Sequence, residues 1–206
     1  MIDLANLAAV GLAFVVVAAS PGPANLAAAT VALTYGRKTG LIFAIGLTLG
    51  LSFWGILAAL GMGAVLQSSA MALFVLKLLG GAYLLWLALQ TGRAAMLGDM
   101  PKAPDIPSGR WLLRGVLLNL SNPKAVFAWM AALSVGMNPS DGVSAIIVAT
   151  SMCALIGLFN ATGWVLLFSQ PRMMRGYRQV RRRVDGLIAG LFALAGFGLI
   201  RSAFSR

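Results

Sequence analysis

Ser20-Pro21-Gly22-Pro23-Ala24-Asn25 stands inside an apolar run that extends from about Leu4 to Tyr35. Proline lacks a backbone N–H and clashes with the preceding turn, so two prolines around a glycine break a helix. In water the result is a loop. In a bilayer it leaves unpaired N–H and C=O groups, which are tolerated only where protein or a water-filled cavity satisfies them. An unbroken helix over this run would be about 45–50 Å long, against a hydrocarbon core of ~30 Å. The break lets two half-helices diverge, tilt or partly unwind. Asn25 follows at once, in position to cap the second half or to contact a ligand. Broken membrane helices recur at small-molecule sites near the bilayer midplane.

The composition of the whole chain agrees. Its 206 residues are 60% hydrophobic and 10% charged, with a mean hydropathy of +0.89. Soluble domains carry about 25% charged residues, so the reading is an all-α integral membrane protein with one membrane domain over 1–206. The net charge of +11 comes from bases that cluster between apolar segments. That is the pattern of cytoplasmic loops beside anionic lipid headgroups, not of a nucleic-acid surface. The single cysteine, Cys153, excludes an internal disulfide and a two-thiol relay, and the absence of His and Glu leaves a transition metal without its usual ligands. No metal and no cofactor are expected. Met1-Ile2-Asp3 lacks the positive start of a signal peptide, so the first segment is expected to be retained.

Segment two runs from about Thr39 to Leu66, segment three from Ala70 to Gln90, segment four from Trp111 to Val135, segment five from Val143 to Phe168 and segment six from Val184 to Ala203. Gly46 and Gly50 form a small-xxx-small pattern that suits either internal packing or a dimer face. Arg37-Lys38, the Thr91–Arg110 connection with its three prolines, and the arginine-rich Gln170–Asp185 stretch are basic. Gln67-Ser68-Ser69 and Asn138-Pro139-Ser140-Asp141-Gly142 carry no base and read as outside turns. Six spans with both termini periplasmic fit this charge pattern. The recurring apolar residues of 170–185 also predict an interfacial amphipathic helix.

Segment four is interrupted in its turn, at Asn119-Leu120-Ser121-Asn122-Pro123-Lys124. Two halves, about 1–92 and 111–206, joined by a linker over about 93–110, would each open with a broken helix. Three spans per half force opposite orientations, which makes an inverted-topology repeat with its site where the breaks meet. A half-helix N-terminus suits a carboxylate and a C-terminal end suits an ammonium group, so opposed breaks can hold a zwitterion. Pro21, Gly22, Pro23, Asn25, Asn119, Asn122, Pro123 and Lys124 are the candidate site residues, with Lys77 and Asn160 as further polar groups in segments three and five. Lys124 either acts on the ligand or ties to carbonyls freed at the other break. Lys77 has the alternative of snorkelling outward, and Asn160 that of an interhelical hydrogen bond. Asp185, beside three arginines at the start of segment six, reads as a surface ion-pair partner; as no carboxylate lies deep in a span, proton-coupled transport would have to use Lys124, the substrate amine or Asp185.

At these motifs the chain resembles the LysE/RhtB family of bacterial amino-acid exporters. The resemblance is carried by Ser20-Pro21-Gly22-Pro23-Ala24-Asn25, by Tyr35-Gly36-Arg37-Lys38-Thr39-Gly40-Leu41 leading to Gly46 and Gly50, by Lys77, Gly80 and Tyr83-Leu84, and by Leu120-Ser121-Asn122-Pro123-Lys124-Ala125 with Phe127. It implies six helices in an inner membrane and export of small amino acids or their derivatives against protons. The alternatives are an exporter of an inorganic ion or another small metabolite, a thiol oxidoreductase, and a lipid-binding scaffold. The first would want acidic ligands in the spans, the second a partner for Cys153, and the third leaves the two breaks without a purpose. Replacing Pro21 and Pro23 by Ala is expected to restore regular helix and cripple transport with membrane insertion intact. Near-normal efflux from cells carrying the double variant would reduce the break to a packing device.

Overall fold

The computed structural model describes residues 4–68, 70–97, 105–136 and 142–204. Met1-Ile2-Asp3, the tip of the turn at Ser69, most of the turn at 138–142 and the middle of the 93–110 linker lie outside them. The described residues form eight helices and no strand: α1 (Leu4–Ala19), α2 (Pro23–Tyr35), α3 (Arg37–Ser68), α4 (Ala70–Leu97), α5 (Trp111–Leu120), α6 (Pro123–Gly136), α7 (Val143–Phe168) and α8 (Pro171–Phe204). Both expected interruptions are present, because α1 stops before Ser20-Pro21-Gly22 and α5 stops before Ser121-Asn122. α1 and α2 are bent by 55° relative to one another. Among the described residues Arg37–Gly61, α7 and α8 are long and apolar enough to cross a membrane, and the bent α1–α2 pair is a fourth such unit.

Several boundaries differ from the sequence expectation. The basic residues Arg37-Lys38 are the first turn of α3, and the connection from α2 is Gly36 alone, at φ 87°. α4 continues to Leu97, past the end of its apolar run. The arginine-rich stretch is not a separate interfacial helix but the first half of α8. At 1.5 Å per residue a helix of 34 residues reaches ~50 Å, longer than the hydrocarbon core. Arg182 explains part of this extension, since its Nε donates to Ala95 O at 2.9 Å and its Nη2 to Met96 O at 3.1 Å. Those bonds satisfy carbonyls that the end of α4 leaves open.

Packing is set by small residues. Gly46 and Gly115 place the backbones of α3 and α5 against each other, and Gly50 faces Val116 O, where a Cβ would stand 2.6 Å away. Gly46 and Gly50 are therefore internal packing positions, not an outer face. Gly81 meets Gly196 in the same way between α4 and α8. The main core joins Val10, Phe14 and Val17 of α1 to Leu84, Trp129, Ile146, Cys153 and Phe192, with the Phe14 and Trp129 rings 4.8 Å apart. A second core joins Ala27, Ala28 and Val31 of α2 to Phe43, Leu47 and Val165. The outward faces are apolar too, through residues such as Ile56, Leu60, Phe159, Leu187, Leu194 and Phe197. Exposed apolar surface of this extent is what a lipid-facing wall requires.

Gly46→Leu is expected to separate α3 from α5, because the nearest atoms are main chain and cannot yield. Overpacking typically costs about 1–3 kcal/mol where side chains can adjust, so a larger loss of thermal stability in detergent is expected here than for Gly61→Leu, which faces open space.

Candidate functional site

The two breaks meet. At the first, Gly22 precedes α2 in extended backbone and no side chain caps the helix. Asn25 does not cap α2 either. Its Nδ2 donates back to Ala18 O at 2.8 Å and to Ser20 O at 3.1 Å. Helical Cβ atoms tilt toward the N-terminus, so a residue in the first turn of α2 naturally reaches the carbonyls that end α1. Ser20 Oγ donates to Val17 O at 2.8 Å. From α7, Asn160 Nδ2 donates to Asn25 Oδ1 at 3.0 Å, which holds the amide in this orientation.

The second break is built differently. Asn119 Nδ2 donates to Leu47 O of α3 at 2.7 Å, a reach made possible by the close α3–α5 approach. Asn122 Nδ2 donates to Asn119 Oδ1 at 3.2 Å, and Asn122 Oδ1 accepts the Lys124 amide at 3.1 Å, capping α6. The indole of Trp54 donates to Leu120 O at 3.1 Å, and that of Trp129 to Leu51 O at 2.8 Å. α6 thus carries a side-chain cap and α2 does not. Pro23 has no N–H and Leu26 N donates to Gly22 O at 3.0 Å, so the N–H groups at the start of α2 without an intrahelical partner are those of Ala24 and Asn25.

Lys124 joins the two breaks. Its Nζ donates to Ser20 O at 2.8 Å and also to Ser20 Oγ. Among the described residues no carboxylate lies within ion-pair distance of it. Its positive charge is met by the carbonyl end of α1, the favourable end of a helix dipole for a cation. Of the two alternatives for Lys124, the tie to a carbonyl freed at the other break is the contact that the structure contains. Two cavities flank the tie. One of about 60 Å³ is lined by polar residues Asn25, Asn119, Asn122 and Asn160 among apolar walls. The other, of about 180 Å³, is lined by Pro21, Pro23, Tyr83, Trp86, Gln90 and Thr91, among others. Gly22, Asn122 and Lys124 line both, so the two cavities adjoin at these residues. Pro123 lines the larger cavity. Lys77 is half-buried on α4 and lines neither.

Some participants were not singled out from sequence. Ser20, the acceptor of Lys124, has no feature of its own beyond the motif around it. Gln90 and Thr91 had a legible signal: with Tyr83 and Trp86 they recur at helical spacing on an otherwise apolar segment. The Trp54 and Trp129 indoles had none, because their acceptors are carbonyls on other helices.

A family model for the LysE type translocator matches residues 15–203. The chain belongs to that family. It is a translocator, not an enzyme. It is similar, at 31% identity, to the threonine efflux proteins of Salmonella typhi and of Escherichia coli strain K12, over 92% of this chain and 94% of each relative. It is 29% identical to the uncharacterized membrane protein YahN of the same Escherichia coli strain, over 90% of this chain and 85% of the relative. No solved structure matches.

Gly22 leaves room for the lysine, since a Cβ there would stand 3.1 Å from Lys124 Nζ and 3.3 Å from its Cδ. Gly22→Ala is expected to lower the transport rate modestly, as the flexible ammonium end can shift. Gly22→Leu is expected to displace Lys124 from Ser20 and abolish transport, with surface expression of both variants unchanged. Equal rates for wild type and Gly22→Leu would separate the tie from transport.

Proposed function

We propose that this translocator exports small amino acids from the cytoplasm across a bacterial inner membrane, through a site between its two helix breaks. The observation that carries the reading is Lys124, a half-buried cation held on Ser20 O at 2.8 Å with no carboxylate partner among the described residues. An amino acid supplies what is missing. Its carboxylate suits Lys124 Nζ and the uncapped N–H groups of α2. Its ammonium group suits the carbonyls at the end of α1 that Asn25, Ser20 and Lys124 now occupy. Binding would compete with Ser20 for Nζ, opening the partition between the two cavities. The threonine efflux relatives make threonine the first substrate to test.

The architecture we propose is six spans in two inverted halves, with the basic loops cytoplasmic and both termini periplasmic. Helix pairing supports it. A two-fold axis in the membrane plane would exchange α1 with α5, α2 with α6, α3 with α7 and α4 with α8. α3 packs against α7 and α4 against α8, contacts that map onto themselves under this exchange, while α3–α5 maps onto α1–α7 and α2–α7 onto α3–α6; the α2–α3 contact has no counterpart of similar extent between α6 and α7. Alternating access would rock these halves around the breaks, driven by proton exchange.

Efflux from cells loaded with a panel of labelled amino acids tests the reading. Wild type should release one or a few of them selectively, and Lys124→Ala should lower that efflux about 10–100-fold, the equivalent of the ~1.5–3 kcal/mol contributed by a hydrogen bond to a charged group. Full activity in Lys124→Ala, at unchanged membrane insertion, would remove Lys124 from the site. No release of any amino acid by wild type would move the cargo to other metabolites or ions.

A further inference from the structure

α8 carries two charged side chains inside the protein, which corrects the surface role expected of Asp185. Arg181 is 4% exposed and Asp185 2%, although Arg172, Arg175, Arg178, Arg182 and Arg183 of the same half-helix face outward. Arg181 Nε stands 3.0 Å from Asp185 Oδ2, one turn away, but off the line of a hydrogen bond. Asp185 Oδ1 is enclosed with no hydrogen-bond partner. The hydroxyl of Tyr177, one turn before Arg181, is enclosed as well, beside both charges and without a hydrogen bond of good geometry. A buried ion pair is worth retaining for stability only when its remaining lone pairs are satisfied, and well-packed apolar residues usually serve as well or better. An orphan buried oxygen costs ~1–3 kcal/mol. The cluster is therefore poorly explained as a packing device.

Its place in the fold suggests a use. α4 and α8 run antiparallel. Gly92 faces Ala189, and Arg182 holds the carbonyls of Ala95 and Met96. Asp185 lies between these two levels, one turn of α8 from Ala189. Gln90 and Thr91, just before Gly92, form one rim of the larger cavity, and Phe192, on the same buried stripe of α8 as Asp185, forms part of its wall. The acid thus stands about two helical turns along α8 from Phe192, which is in the wall of the cavity that Lys124 also lines. Nearer the start of α8, around Met174 and Tyr177, α7 and α2 present Trp164, Phe168, Leu26 and Leu33, none titratable, and α1 has no charged residue. α4 brings Arg93, which is exposed, to the level of Asp185. Lys77 belongs to the opposite end, near the Phe74–Phe204 ring contact.

We propose that Asp185 is the proton-binding residue of the transport cycle, with Arg181 as the internal cation that balances it once the proton has left. This rests on the exporter reading above and adds the group that carries the coupling ion. A proton added to Asp185 Oδ1 makes a neutral carboxyl and releases Arg181 from its counter-charge. Loss of that proton toward the arginine-rich end of α8 restores the pair. Because α8 packs along α4, whose side chains wall the larger cavity, making and breaking the pair would move that wall.

Full-length protein in liposomes separates coupling from transport, with the panel of labelled amino acids as probe, beginning with L-threonine. Counterflow exchanges labelled for unlabelled substrate and needs no net proton movement, whereas uphill accumulation under an imposed pH gradient does. Wild type should show both. Asp185→Asn should keep counterflow but lose gradient-driven accumulation and the pH dependence of the rate, and Asp185→Glu should restore both. Accumulation that persists in Asp185→Asn would overturn the proposal. So would a Glu variant that keeps counterflow without regaining gradient-driven accumulation. Loss of counterflow in the Asn and Glu variants alike, with both still inserted and monodisperse, would assign the pair to structure and overturn it too. A wild type without counterflow of any amino acid would instead sink the exporter reading, and this inference with it.

Discussion

Backbone groups freed by a broken helix must find partners inside the protein, because lipid offers none. Several polar contacts near the centre of this molecule answer that constraint. Ala18 O and Ser20 O are taken by Asn25, Val17 O by Ser20, Leu120 O by Trp54, and Ser20 O again by Lys124. The Lys124 contact differs in kind. It is charged, it crosses from one break to the other, and it faces cavities on both sides. A group that satisfies an orphan carbonyl with a surplus charge is one that a charged ligand can displace.

That arrangement depends on close helix approach. Gly46, Gly50 and Gly115 bring α5 against α3 until Asn119 reaches the Leu47 carbonyl, and Asn119 in turn orients the Asn122 that caps α6 at Lys124. A chain of contacts thus runs from glycines in α3 to the position of the lysine ammonium. Small residues in a bilayer serve less to add attraction than to remove obstacles to such contacts. The tilted pairing of Phe14 with Trp129, whose indole is itself bound to Leu51 O, closes the other side of the same region.

The breaks and Lys124 were legible in the chain because each violates a local rule. Proline in an apolar segment and lysine in a span both carry a cost that asks for a reason. Asn25 was legible as a polar residue at the break but not in its task, since capping its own helix and closing the previous one are equally local. Asp185 was legible as an acid among arginines, with a surface pair and a part in proton coupling both open, but its enclosure was not, because the arginines beside it in sequence face outward. Whether a charged residue of a helix points in or out depends on which of its faces meets a partner helix, and a rotation of a fraction of a turn decides it.

Composition, charge pattern and proline placement determined that this is a helical membrane protein, that its first and fourth apolar segments are interrupted, and which residues surround the interruptions. These are properties of the local chain: hydrophobic length, the missing N–H of proline and the position of charges along it. Only the tertiary structure decided that Lys124 rests on Ser20 and not on another carbonyl, that the Gly46–Gly50 face turns inward, and that Arg181 and Asp185 form an enclosed pair with unsatisfied neighbours. Each of these is a distance between residues far apart in sequence or a rotation of one helix against another. Such quantities follow from how all eight described helices pack at once, which no local rule contains.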